Sequence, residues 1–358
     1  MIRTTNFEKN DFEKDLKYIN EHAYSFLEKS RVEPGDILMN KIADPGSTYL
    51  MPNLNRPVSL AMNLFLLRTD TTRLDQTFAY YWLKANEPYV KSFACGAATA
   101  TITKKAVRDL ELYLPPLPRQ QRISEILSAY EHLIENSRLR IKILEAMARA
   151  LYREWFVRGN ASGGEPEMGL KAGKLGDLCE LTKAAFSDTL HADRPLLDLA
   201  RMPQGSLAPG ELGNPSELTT SRILFEAGDT LFGAIRCYLH KVVVSHFPGV
   251  TNTSVLVLRP KYANLRSLLA IIASDPETIR WADTHSSGTK MPVINWGVFQ
   301  NMPVANPSIE LASRFEEKAG PMIDQIGVLA SRIQNLRRSR DLLLPRLLSG
   351  QIPISEAQ

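Results

Sequence analysis

The feature that most constrains this chain is that it repeats itself. When the 358-residue sequence is slid along itself by 192 positions, Gly96 falls on Gly288, Ile102 on Ile294, Val107 on Phe299, Leu110 on Met302 and Pro115 on Pro307. Further on, Ile134 meets Ile326, Leu144 meets Leu336 and Leu151 meets Leu343. Upstream the register drifts by a residue, as loop insertions would cause, yet Pro34-Gly35-Asp36-Ile37-Leu38 still answers Ala227-Gly228-Asp229-Thr230-Leu231. A long-period repeat means one structural unit used twice. Each copy reads as a region of short strands and turns followed by a long helix.

The helices carry the clearest pattern. Leu114-Pro115-Pro116-Leu117-Pro118 forbids helix before it and suits a helix start after it. From there positions 123, 127, 130, 134, 137, 141, 144, 148, 151 and 155 alternate steps of four and three, and nine of the ten are apolar, Ser137 being the exception. The positions 192 later run from Phe315 to Leu347 and are again apolar at nine of ten, with Arg340 the exception. These are heptad seams, and two of equal length in one chain are expected to pack on each other. Gly320-Pro321 is expected to kink or delay the second helix, and Pro345 to end or bend it.

The regions between differ in texture. Asp36-Ile37-Leu38-Met39, Leu64-Phe65-Leu66-Leu67, Lys241-Val242-Val243-Val244 and Ser254 to Leu258 are short, apolar, partly β-branched runs bounded by Gly, Pro and Asn, and read as strands. Gln76 to Lys84 and Leu265 to Ser274 read as helical pieces beside them, giving an α+β class. Residues 159–173, with five glycines, read as a linker. The domains expected are therefore 1–117, a first helix at 118–158, the linker, 174–307, and a second helix at 308–352.

Composition excludes several classes. With 43 basic and 39 acidic residues the net charge is +4, far from that of a histone-like polycation, and the surplus sits on the helices. Cys95, Cys179 and Cys237 are far apart with no CxxC, which points to reduced thiols and no structural metal. No run approaches the roughly 18 to 20 apolar residues of a bilayer span, so a cytoplasmic protein is expected.

A search for catalytic chemistry finds no phosphate loop, HExxH, GxSxG or dinucleotide fingerprint. Asn306-Pro307-Ser308-Ile309 faintly echoes the loop with which amino-methyltransferases hold a target nitrogen, but its repeat counterpart is Leu114-Pro115-Pro116-Leu117, and a turn before a helix accounts for both. Asp36 and Asp229 read as turn residues entering a strand. The equivalent segments Gly96 to Lys105 and Ser286-Ser287-Gly288-Thr289-Lys290 combine small residues, hydroxyls and lysines. Such loops suit close approach to phosphates and base edges, and equally suit a plain flexible loop. On the nucleic-acid reading the candidates are Lys41, Ser59, Thr99, Lys104 and Lys105 in the first copy. In the second they are Lys183, Arg236, Thr253, Ser286, Thr289 and Lys290.

Leu114-Pro115-Pro116-Leu117-Pro118-Arg119-Gln120-Gln121-Arg122-Ile123, with the helix ending Ala150-Leu151-Tyr152-Arg153-Glu154-Trp155-Phe156-Val157, resembles the DNA specificity subunits of type I restriction-modification systems. Lys174-Leu175-Gly176-Asp177-Leu178-Cys179 and Leu344-Pro345-Arg346-Leu347-Leu348-Ser349-Gly350-Gln351-Ile352 extend the resemblance over almost the whole chain. It implies that each strand region is a target recognition domain reading half of a bipartite site on double-stranded DNA. It also implies that the helices pack antiparallel as a coiled-coil spacer. Two modification subunits would bind around that spacer and bring S-adenosylmethionine and adenine methylation, with a translocating restriction subunit joining them. This chain would then hold no cofactor and no catalytic residue. Ile123, Leu127, Ile134, Leu144, Leu151, Trp155, Ile326, Leu329, Leu336 and Leu343 are the expected spacer and partner-interface positions. One departure stands out: the first copy has no Leu-Gly-Asp-Leu opening and is shorter before Ser30 than the second is before Ser221. The first domain is therefore expected to be shortened at its N-terminal side, which opens the alternative of a half-specificity adaptor.

Overall fold

A computed structural model describes residues 1–8, 11–13, 16–96, 99–158, 169–187 and 189–353. The chain divides into two compact units, Met1–His132 with Arg338–Gln358, and Leu133–Arg337. Each contains helix and sheet, as the sequence implies.

In the first unit the runs read as strands form a three-stranded antiparallel sheet. Its members are β1 (Ile37–Asn40), β2 (Thr48–Leu50) and β3 (Leu64–Leu67), with β1 in the centre. Helix α1 (Gln76–Ala85) begins at Asp75, whose carboxylate caps the Phe78 N–H, and buries Phe78, Ala79, Tyr81 and Leu83. A short helix α2 (Lys104–Arg108), capped by Thr103, precedes α3 (Leu117–Tyr152). The proline cluster works as expected at that start. Gln120 is buried there and its amide donates to the Pro115 and Arg73 carbonyls while accepting the Asp75 N–H, tying α3 to α1.

The second unit uses the same plan with more strands. The sheet runs β5 (Cys179–Thr182), β10 (Val255–Pro260), β7 (Thr230–Gly233), β8 (Val242–Val244), all antiparallel. Two further pairs, β4 (Leu170–Lys174) with β11 (Pro303–Pro307) and β6 (Arg222–Phe225) with β9 (Gly249–Asn252), flank it. The sheet is covered by α4 (Arg266–Ala273) and α5 (Pro276–Thr284), and α6 (Ile309–Leu348) follows β11. Strands β1, β2 and β3 thus answer β7, β8 and β10. Among the described residues of the first unit β5 has no counterpart. The β3 edge is instead met by the Gln76 side chain, which donates to the Leu67 carbonyl at 2.9 Å and accepts the Thr69 N–H at 2.9 Å.

Three details differ from the sequence reading. The span taken as linker ends in structure, since Leu170–Lys174 is a strand held by β11; residues 159–168 lie outside the described part. Pro321 does not delay its helix and Pro345 does not end it, since the helix starts at Ile309 and continues through both to Leu348. Ala319, Ile323 and Ile326 are fully buried on both sides of Pro321, and burial at about 1.5–3 kcal/mol per large side chain offsets the roughly 3 kcal/mol a helix-interior proline costs. Asn306-Pro307-Ser308-Ile309 is a strand end and a helix start, with the Ser308 hydroxyl accepting the Leu311 N–H.

None of the twenty seam positions is exposed. In the second unit Ile134, Ile141, Ala148, Ile326, Leu329 and Ile333 share one core, and the Trp155 ring meets Phe315 at 5.9 Å. In the first, Ile123, Leu127, Leu343 and Leu347 share another, and Glu131 pairs with Arg340, the polar position of the second seam. Ser137, the other polar position, returns its hydroxyl to the Leu133 carbonyl at 2.7 Å.

Candidate nucleic-acid interface

The sheet topology brings most of the sequence candidates of the second unit to one end. Strand β5 ends at Thr182, β7 ends at Gly233 and the antiparallel β10 begins at Val255, so Lys183, Arg236 and Thr253 follow or precede strands at that same end. A loop from α5 docks there: Ala234 donates its N–H to Ser254 and accepts that of Ile294, and the Arg236 N–H donates to Pro292 at 2.8 Å. That loop carries Ser286, Thr289 and Lys290 and closes on itself through the Ser287–Val293 bridge. Lys183, Arg236, Thr253, Thr289 and Lys290 are exposed. Ser286 is half-buried, its hydroxyl donating to the Ala282 carbonyl at 2.8 Å.

The first unit repeats the arrangement. Lys41 follows β1, donates its N–H to Asn63 and accepts that of Ile102, and a Cys95–Thr101 bridge closes the matching loop. Thr99, Lys104 and Lys105 stand exposed beside it; Ala97 and Ala98 lie outside the described residues. Gly96 and Gly288 both have positive φ, 124° and 99°, and a side chain at Gly96 would strike the Thr99 carbonyl at 2.4 Å. Two sequence candidates face away from this surface. Ser59 is 2% exposed and its hydroxyl pairs with Ser30, so it cannot reach a ligand. Lys41 folds its ammonium back on the Met62 carbonyl and over the Phe65 ring, and burial together with Lys104 lowers its pKa.

The repeated aspartates have a structural task that sequence reasoning saw only as a turn. Asp36 accepts the Glu33 N–H and grips Arg68 through both oxygens at 2.7 and 2.6 Å. Asp229 accepts the Glu226 N–H and grips Arg259 at 2.8 and 2.7 Å. Gly35 and Gly228 precede them at φ 85° and 93°, where other residues are strained. Among the described residues no three metal-ligating side chains converge, and no helix is long and apolar enough to cross a membrane.

Comparison with known proteins adds to this geometry. Residues 2–146 match the family described as "Type I restriction modification DNA specificity domain". The MjaIX specificity subunit of Methanocaldococcus jannaschii is 22% identical over 78% of this chain and 69% of its own length. The HindI specificity subunit of Haemophilus influenzae is 22% identical over 90% of this chain and 88% of its own. The chain is thus similar to type I specificity subunits along most of its length. A crystal structure of the S subunit from M. genitalium shares its fold, with a TM-score of 0.55 and 18% identity over 89% of this chain and 84% of that one.

Proposed function

We propose that each strand region reads one half of a bipartite duplex site and that the two long helices act as an antiparallel coiled-coil spacer setting the gap between the halves. The observation that carries this reading is the pair of matched sheet ends, each presenting a glycine-hinged loop with outward hydroxyls and cations. Phosphate contacts from lysines and hydroxyls position such a surface, and groove contacts specify sequence. The spacer reading is supported by Trp155 against Phe315 at one end of α3, and by Glu131 with Arg340 nearer the other. On this reading residues 1–117 and 174–307 are the recognition regions and 118–158 and 308–352 the spacer.

The chain itself is non-catalytic and works in the cytoplasm with two modification subunits, which bring S-adenosylmethionine and methylate adenine; a translocating restriction subunit joins them. Because the seam residues are buried within each unit, a modification subunit docks on the outer face of α3. There Leu139, Ile143 and Met147 recur every four residues and are exposed. A second reading, in which only the second unit reads DNA, is favoured because among the described residues no counterpart of β5 lies beside β3.

Co-expression with a modification subunit in a methylation-free host, followed by mapping of methyladenine across the genome, tests this. A two-part asymmetric motif with a fixed gap is expected. A single or symmetric half-motif establishes the second reading, and methylation without any sequence preference refutes both.

A further inference from the structure

The turn Arg236–His240, between β7 and β8, is under strain at both ends. Among the described residues four that are not glycine have positive φ, and two of them, Arg236 at 53° and His240 at 50°, bound this turn. Such conformations cost about 1–3 kcal/mol each and persist only where the surroundings impose them. Here they do. Arg236 donates its N–H to Pro292, Leu239 donates to Arg236, and the His240 carbonyl accepts the Gly205 N–H, all at 2.8 Å. The His240 Nε2 lies 2.9 Å from the Ser274 carbonyl, and the buried Cys237 thiol sits 3.6 Å from the Ala234 carbonyl.

What this well-held turn shows to solvent is Arg236 and Tyr238, the latter 52% exposed, with Met291 on the adjoining loop 55% exposed. The Arg236 side chain has no hydrogen-bond or ion-pair partner among the described residues. Lys290 adds a second positive charge on the adjoining loop; Asp283 faces the turn at Cys237, and Asp275 and Arg149 face it at His240. Holding large apolar groups rigidly in water gains the fold nothing; it lowers the ordering cost of binding something. The matched turn of the first unit keeps the backbone device, with Ala43 at φ 68° and Gly46 at 91°, but fills it differently. It places Asp44 in an ion pair with Lys91 at 2.7 Å and buries Pro45. A shared backbone with exchanged side chains is what a part that reads different sequences requires.

We propose that Arg236 and Tyr238 form one reading head of the second unit, entering a groove of duplex DNA. Arg236 donates to a guanine edge, and Tyr238, flanked by Met291, makes apolar contact with the neighbouring base. This rests on the function proposed above and names the residues that carry its specificity.

The test uses the complex with its modification subunit and duplexes carrying the mapped motif. Tyr238→Ala is expected to weaken cognate binding about tenfold or more, relax one position of the second half-site, and leave the salt dependence, the non-cognate affinity and the thermal midpoint unchanged. Tyr238→Phe restores the wild-type motif. Arg236→Ala weakens cognate binding about tenfold or more and relaxes the adjacent position. A Tyr238→Ala complex that keeps the same second half-site at full affinity overturns the proposal, as does an equal loss on cognate and non-cognate duplex. Those results leave the proposed function standing; a wild-type complex with no second half-site removes both.

Discussion

At the scale of single residues, the bidentate grips of Asp36 on Arg68 and Asp229 on Arg259 show how one sequence device serves both units. The carboxylates are buried and the arginines partly exposed, so each grip fixes the turn into the central strand to the end of its neighbour. Asp36→Asn and Asp229→Asn each remove one charged acceptor from a pre-formed pair. We expect each to cost about 1–3 kcal/mol, read by urea unfolding, while the methylation motif stays the same. A changed motif would return these carboxylates to the reading surface. Half of the device was legible, because Gly-Asp recurs in both copies. The arginines were legible too, in Leu64-Phe65-Leu66-Leu67-Arg68 and Val255-Leu256-Val257-Leu258-Arg259, but only once the strands are known to be neighbours does their common position mean anything.

Between elements, the long helices separate two kinds of apolar position that composition alone confuses. Leu144 and Leu336 belong to the packed seam, whereas Ile143 stands exposed beside them. Leu144→Asp or Leu336→Asp is expected to cost about 2–4 kcal/mol of unfolding free energy. Ile143→Asp should leave stability within about 0.5 kcal/mol of wild type yet reduce co-purification of a modification subunit. Full co-purification of Ile143→Asp at normal stability would move the docking face elsewhere.

The seam is also gripped by a loop. On α3 the buried Glu145 accepts the Ser206 hydroxyl and the Leu207 N–H at 2.7 Å, and on α6 Gln334 donates to the Gly210 carbonyl while Arg337 pairs with Glu211. Burial raises the Glu145 pKa. Below about pH 4 the group is protonated folded or unfolded, so its contribution is fully present there and declines as pH rises through the raised value. Glu145→Gln, which stays neutral, should therefore gain stability relative to wild type between pH 4 and 7, in paired urea titrations. A difference that does not vary with pH would show that the carboxylate is not desolvated. Nothing in the sequence marked this glutamate: it lies off the heptad seam, and its partners come from a stretch of the second copy where the repeat register fails.

For the whole molecule, the repeat, the α+β class and both long helices were readable because periodicity reports burial directly. Surface chemistry was less readable, because residue type does not say which way a side chain turns. Ser59 and Lys41 have the right chemistry and the wrong direction, and Tyr238 reads in sequence as ordinary apolar content until two strained residues hold it outward. The same distinction governs electrostatics. Arg68, Arg259, Arg266, Arg340 and Lys91 are spent in ion pairs. The outward cations at the sheet ends are Lys104 and Lys105 in one unit and Lys183, Arg236 and Lys290 in the other. With Arg236 assigned to a base edge, two and two make four phosphates neutralised, and at about 0.9 per phosphate the slope of log affinity against log salt for the isolated chain on duplex DNA should be no steeper than about −3.6. Measured by titration between 50 and 200 mM salt, a slope near −3.6 would place all the electrostatics at the sheet ends and leave tight binding to depend on partner subunits. A slope beyond about −6 would mean that the basic surplus of the long helices also meets the duplex, and that the spacer touches the DNA it spans.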